Sequence, residues 1–250
     1  MSRPRLIISI VMVTIAALVT WKATTAKQPS YEDKTLGYWL SQTDASANLT
    51  PQASNALKHI GSDACPTLVR MLHAKDHSPA VGHMLGWLHI QHPPAALQMV
   101  IACQGFEILG AQASDAVPDM IRLFKNDADP QAQWMTALAI GGIGPAASNA
   151  IPALLPALNS TNFILRRNTL EALGKIHSQP DLVVPQLVRA LDDQDGSVKV
   201  AAFAAIAQYR TNGRLAVPKL KELMNSTNSL ERSIAPAVLE GIDPAAVNEK

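Results

Sequence analysis

Aromatic residues make up only 4% of this 250-residue chain, although 48% of its residues are hydrophobic. Strands draw on β-branched and aromatic side chains, whereas Ala and Leu favour helices. The shortage therefore argues against a β-sandwich and for closely packed helices. An excess of one charge is also lacking: 21 Lys and Arg face 20 Asp and Glu, for a net charge of +1. From Lys27 onward the balance is 18 bases to 20 acids. A surface of that kind has no basic footprint for a phosphate backbone, which argues against a nucleic-acid partner. Only two cysteines occur, Cys65 and Cys103, too few for a Cys-rich metal motif. They fit a disulfide formed outside the cytoplasm, or two small buried hydrophobes that never meet, and both readings stay open. Nucleophile-elbow and phosphate-loop motifs are missing as well. Gly141, Gly142 and Gly144 imitate a phosphate loop but fall in the register of a repeat and read as the end of a helix.

The longest apolar run lies at the N-terminus. Arg3 and Arg5 precede residues 6–21, which are apolar except for Ser9, Thr14 and Thr20. A basic start, an apolar stretch and small residues after it form the layout of a secretory signal, with Thr24 and Ala26 at the −3 and −1 positions of a cleavage site. The alternative is an uncleaved anchor, for which the run is slightly shorter than the roughly 17–25 residues of a spanning helix. Either reading sends the rest of the chain out of the cytoplasm, to a periplasmic, secreted or inner-membrane-anchored location, with the membrane touched only through residues 6–21. No cysteine follows the run, which argues against lipid modification there.

Beyond it the sequence repeats. Pro66, Pro118, Pro152, Pro185 and Pro218 each follow a Cys, Val or Ile and stand two residues before a Leu or Met. The last four are spaced by 34, 33 and 33 residues, while Pro66 lies 52 before Pro118, so about half a repeat is inserted there. Six residues after the prolines stand Leu72, Phe124, Leu158, Leu191 and Met224, which complete an apolar helical stripe. Proline is tolerated in the first turn of such a helix, whose N–H groups lack intrahelical partners. Ser62, Ser114, Ser148 and Asp181 are the expected N-caps. A second helix shows the same register: Ala139, Ala172 and Ala205, followed by Ile140, Leu173 and Ile206, then Gly141, Gly174 and Ala207. Polar turns rich in Asn and Asp join the two. A pair of amphipathic helices cannot bury its apolar face alone, so the units must stack.

The Val-Pro-x-Leu helix, the Asp-rich turn and the second helix ending in Ala-Leu-x-x-Leu-Gly resemble the HEAT-repeat family, particularly its phycobilin-lyase-like branch, over residues 53–250. Residues 31–40 resemble the opening segment of exported bacterial HEAT-repeat proteins. Read without that likeness, they form a cap in which Leu36, Trp39 and Leu40 cover the first core face. The resemblance implies an all-α fold, a right-handed α-solenoid of helical hairpins that follows the N-terminal hydrophobic segment. The expected division is a signal or anchor at 1–26, a linker and cap at 27–52, and a solenoid at 53–250 with an irregular insertion near 78–103. The family pattern also pairs an acidic turn residue with a base six positions on. Here those columns read Asp127, Ser160, Asp193, Ser226 and Gln133, Arg166, Lys199, Arg232, so a continuous ladder of charge-assisted bonds is not expected.

Five of the seven histidines fall between residues 73 and 92. His73 and His77 have the i, i+4 spacing of metal ligands, but Asp76, Ser78 and Pro79 end a helix there, and these two remain weak metal candidates. One hydroxylase group within the family binds di-iron through His-Glu pairs, and this chain has no His-Glu dipeptide. No catalytic residue and no cofactor is assigned. In the family the second helices line the concave side, so Arg166, Arg167, Lys199 and Arg232 are the expected protein-binding residues for an acidic segment. The alternative is that they pair with neighbouring turn carboxylates. The reading is a non-catalytic protein-interaction scaffold of the cell envelope with an unidentified protein partner. Its alternatives are a bilin-lyase-like or metal-dependent activity centred on the His-rich insertion, and a purely structural envelope component.

Overall fold

A computed structural model of the protein describes residues 28–76, 78 and 93–247. The expected signal or anchor at 6–21 and the histidines at 77, 83, 89 and 92 lie outside the described residues. A short antiparallel ribbon of β1 (Ser30–Tyr31) and β2 (Lys34–Thr35) opens the structure. Thr35 then caps α1 (Leu36–Leu40), its hydroxyl accepting the N–H of Tyr38. Leu36, Trp39 and Leu40 are buried as α1 packs on α2 (Pro51–Ile60), and the Trp39 indole donates to the Tyr31 carbonyl at 3.1 Å.

Among the described residues five pairs of helices follow, an A member and a B member in each: α3 (Cys65–Leu72) with α4 (Ala95–Leu109), α5 (Val117–Asn126) with α6 (Pro130–Ile143), α7 (Ile151–Leu154) with α8 (Phe163–Ile176), α9 (Pro180–Ala190) with α10 (Gly196–Gln208), and α11 (Val217–Leu223) with α12 (Ser229–Ile242). The residues two after the repeat prolines, Leu68, Met120, Leu154, Leu187 and Leu220, are all fully buried. The molecule is an all-α solenoid, and its densest packing runs from one B helix to the next.

The A helices begin differently from the sequence expectation. Ser62, Ser114 and Ser148 do not cap through their hydroxyls. Three-ten turns at Gly61–Ala64, Gly110–Ala116 and Gly144–Ala150 run straight into α3, α5 and α7, and the N–H groups of Cys65, Val117 and Ile151 donate to those serines' backbone carbonyls. Backbone bonds that tighten the first turn thus satisfy donors that a cap would otherwise take. Asp181 is likewise no cap: α9 starts at Pro180, after left-handed His177 and Gln179, which leaves Pro185 inside the helix. α7 is short for a related reason. Pro156 has no N–H to return to Pro152, and the chain continues as a three-ten turn, Leu155–Asn159.

The small-residue columns set the spacing between B helices. Gly141 and Gly174 are two residues inside the ends of their helices. A Cβ on Gly141 would stand 2.6 Å from the Ala172 Cα, and one on Gly174 would stand 2.9 Å from the Ala205 Cα. These glycines therefore mark close helix–helix contact rather than helix termination. The irregular insertion expected near 78–103 does not extend through residues 95–103, because α4 is one continuous helix with Cys103 near its middle. The stretch from Pro130 to Asn159 is apolar enough to cross a membrane, but it is α6, α7 and two three-ten turns, half buried among neighbouring repeats.

Candidate functional site

Each A-to-B turn from α5 onward is built on two polar columns 33 residues apart. Asp129, Asn162, Asp195 and Asn228 cap their B helices, the side-chain oxygen accepting an N–H two residues on. Two residues earlier, Asp127, Ser160, Asp193 and Ser226 accept the N–H of those capping residues at 2.9–3.2 Å. Serine or aspartate serves that local bond equally well, which is why the acidic column tolerates Ser at two of its four positions.

Bonds between repeats need the charge, and the four steps differ accordingly. Arg166 reaches the next turn and grips Asp193 with two bonds, Nε to Oδ2 at 2.7 Å and Nη2 to Oδ1 at 2.8 Å, while its Nη1 donates to the Ser160 carbonyl. This is the bidentate geometry that favours Arg over Lys. The hydrogen bonds from Arg166 hold Asp193 below the usual carboxylate range, and the bond to Asp193 raises the Arg166 pKa in turn. Lys199 has only Ser226 in the next turn and pairs with Glu231 on α12, to which Ser226 Oγ also donates. Glu231 is 5% exposed, and those bonds, Lys199 first, lower its pKa. Gln133, facing Ser160, makes no inter-repeat bond and donates to the Phe124 carbonyl. At the first step His73, at the end of α3, supplies the partner: its Nδ1 lies 2.6 Å from Oδ2 of Asp127, whose side chain is 3% exposed. The ladder is therefore discontinuous, as the columns imply, with a gap at Gln133 and Ser160.

These bonds decide the place of the candidate residues. Arg166 and Lys199 are held in inter-repeat pairs along the turn edge. Arg232 is exposed and donates to the Ser226 carbonyl. His73 faces Asp127, and its candidate partner His77 is outside the described residues. Among the described residues no group of three or more His, Cys, Asp or Glu is placed to hold a metal ion. Both cysteines are free, and burial pushes the Cys103 thiol up to about 12, so it stays protonated and donates to the Met135 carbonyl at 3.3 Å.

Arg167, one residue on from Arg166, points elsewhere. With Glu171 and Lys175 it forms an i, i+4, i+8 row on the outward face of α8. The same columns hold Trp134, Leu138 and Gly142 on α6, and Val200, Ala204 and Gln208 on α10. Between α8 and α10 this face sinks into an open cavity of 680 Å³. Gly174, Ala201, Ala204 and Ala205 form its floor, Arg167 and Ser197 stand at one end, and Lys175 and Gln208 at the other. Burial disfavours the Lys175 ammonium, yet bonds to Glu107 on α4 (3.1 Å) and Glu171 (3.4 Å) outweigh it and raise its pKa. Arg167 has weaker company: Nε and Nη2 reach Asn168 Oδ1 at 3.4 Å each, and no carboxylate of the described residues pairs with it. The 33-residue spacing of these outward columns is present in the sequence, where only Arg167 among them is a candidate.

Stacked helical hairpins, a turn-edge ladder and an outward B-helix face define a helical-repeat solenoid. A family model for HEAT repeats matches residues 117–185 and 151–240, from α5 to within α12. The chain belongs to the HEAT-repeat family. No curated protein matches it. Among solved structures, the crystal structure of an engineered protein from the Northeast Structural Genomics Consortium is 20% identical, covering 86% of this chain and 67% of its own, with a TM-score of 0.43.

Proposed function

We propose that this chain is a non-catalytic protein-interaction scaffold that presents the outward face of its B helices to a protein partner in the periplasm or cell envelope. The observation that carries the reading is the cavity between α8 and α10, open to solvent and lined by residues that take no part in the turn-edge charge ladder. HEAT-repeat solenoids commonly bind proteins, and a regular stack offers a long rigid surface for that purpose. The envelope location rests on the basic and apolar pattern of residues 3–21. Two experiments test the two halves. Affinity capture from envelope fractions, with the wild type and with Ala204→Glu, is expected to recover a protein that the variant loses; equal recovery by both contradicts the binding face. Alkaline phosphatase fused after residue 30 is expected to be active, as only exported enzyme is; an inactive, cytoplasmic fusion contradicts the location.

A further inference from the structure

Three features of the cavity between α8 and α10 restrict what fills it. Its floor is small and apolar, so a ligand can come close to both helix backbones. Its length, from Arg167 to Lys175, is eight helical residues or about 12 Å, two turns of an α-helix. Its lining is open, with Arg167, Glu171, Val200, Ala204 and Gln208 all exposed. Small-molecule sites of similar volume enclose most of their ligand. An open trough between two parallel helices instead suits a third helix lying along it, ridge into groove.

Charge picks the occupant's character. Lys175 already has Glu107 and Glu171, so the far end is neutralised from within. Arg167 at the near end has only the Asn168 carbonyl oxygen, shared by two long bonds, and Asn168 is 1% exposed with its own Nδ2 unpartnered. We infer that the cavity receives an amphipathic α-helix of a protein partner, its aliphatic stripe on Ala201, Ala204 and Ala205 and an Asp or Glu side chain on Arg167. This inference rests on the proposed scaffold function and names the kind of segment bound. A carboxylate would give Arg167 the bidentate partner that Arg166 finds in Asp193 on the turn edge. Val200 at the rim, 41% exposed, would be covered by the same helix.

The test pans the full chain against a displayed library of helix-biased random peptides and measures the selected peptides by fluorescence anisotropy. The expected peptides carry Asp or Glu one or two helical turns from Leu, Ile or Met. Arg167→Glu and Ala204→Glu, both at exposed positions, are expected to weaken them about tenfold or more, and Arg122→Glu on α5 to leave them unchanged. Replacing the peptide's acid with Lys is expected to restore binding to Arg167→Glu, a gain that misfolding cannot produce. Selected peptides without an acid preference, or binding indifferent to Arg167→Glu and Ala204→Glu, overturn the inference while leaving a scaffold that binds elsewhere. Enrichment of no peptide at all overturns the inference and the scaffold reading together.

Discussion

Asp193 takes part in two interactions, the local bond to the Asp195 N–H and the bidentate bond from Arg166 one repeat earlier. Asp193→Asn keeps most of the first and loses the charge of the second, with both side chains largely buried at 15% and 13% exposure. The expected loss is about 1–2 kcal/mol, between a surface pair and a buried charged hydrogen bond. Because the folded pKa of Asp193 is depressed, its contribution is complete above the unfolded carboxylate value of about 4 and disappears as pH falls through the lower folded value. Urea midpoints measured across pH should therefore show the wild-type advantage at neutral pH shrinking in acid; a pH-independent gap contradicts it. Glycine supplies a second contrast. Gly141→Ala adds helix propensity of about 1 kcal/mol but drives a Cβ to 2.6 Å from the Ala172 backbone, so a net loss of about 1–3 kcal/mol is expected. Gly196→Ala meets nothing within 4 Å and should be neutral or stabilising by up to about 1 kcal/mol. Thermal unfolding of the two variants checks the opposite signs.

At the scale of elements, the turns explain what was legible in the sequence and what was not. The prolines, the buried Leu and Met two residues on and the Ala-Ile/Leu seam follow directly from helical periodicity. The capping column at 129, 162, 195 and 228 has a 33-residue spacing in the sequence but is not among the expected caps, because Ser62, Ser114 and Ser148 carry the same capping chemistry and only the three-ten turns make their hydroxyls unnecessary. Half of the ladder could not be read at all. Glu231 sits on a helix rather than in a turn, and His73 stands at the end of an A helix, outside the basic column of the B helices. The same comparison predicts how the gap can be closed. Gln133→Arg with Ser160→Asp recreates the pattern of Arg166 and Asp193, and the pair should stabilise the solenoid by about 1 kcal/mol beyond the sum of the single changes. A double-mutant cycle in urea measures that coupling; a coupling of zero would mean that the α5–α7 step differs in geometry from the α7–α9 step.

Across the whole molecule, the inter-repeat ladder and the proposed binding surface lie on different faces. The turn edge carries Arg166–Asp193 and Lys199–Glu231, which tie consecutive repeats, whereas on the outward B-helix face Lys175 pairs with Glu107 and Glu171 while Arg167, Val200, Ala204 and Gln208 stand exposed. Two of the four bases expected to bind a partner, Arg166 and Lys199, belong to the first face; Arg167 belongs to the second. One residue of helical rotation separates Arg166 from Arg167, a difference of about 100° that spacing alone did not weigh. The direct measurement is site-specific photo-crosslinking in cells, with a photoreactive residue at Ala204 on the B-helix face or at Leu182 on α9, both exposed. A discrete crosslinked protein partner is expected from position 204 and none from position 182. Crosslinking from 182 alone, or none at 204, would contradict the assignment of the B-helix face as the surface through which this solenoid works.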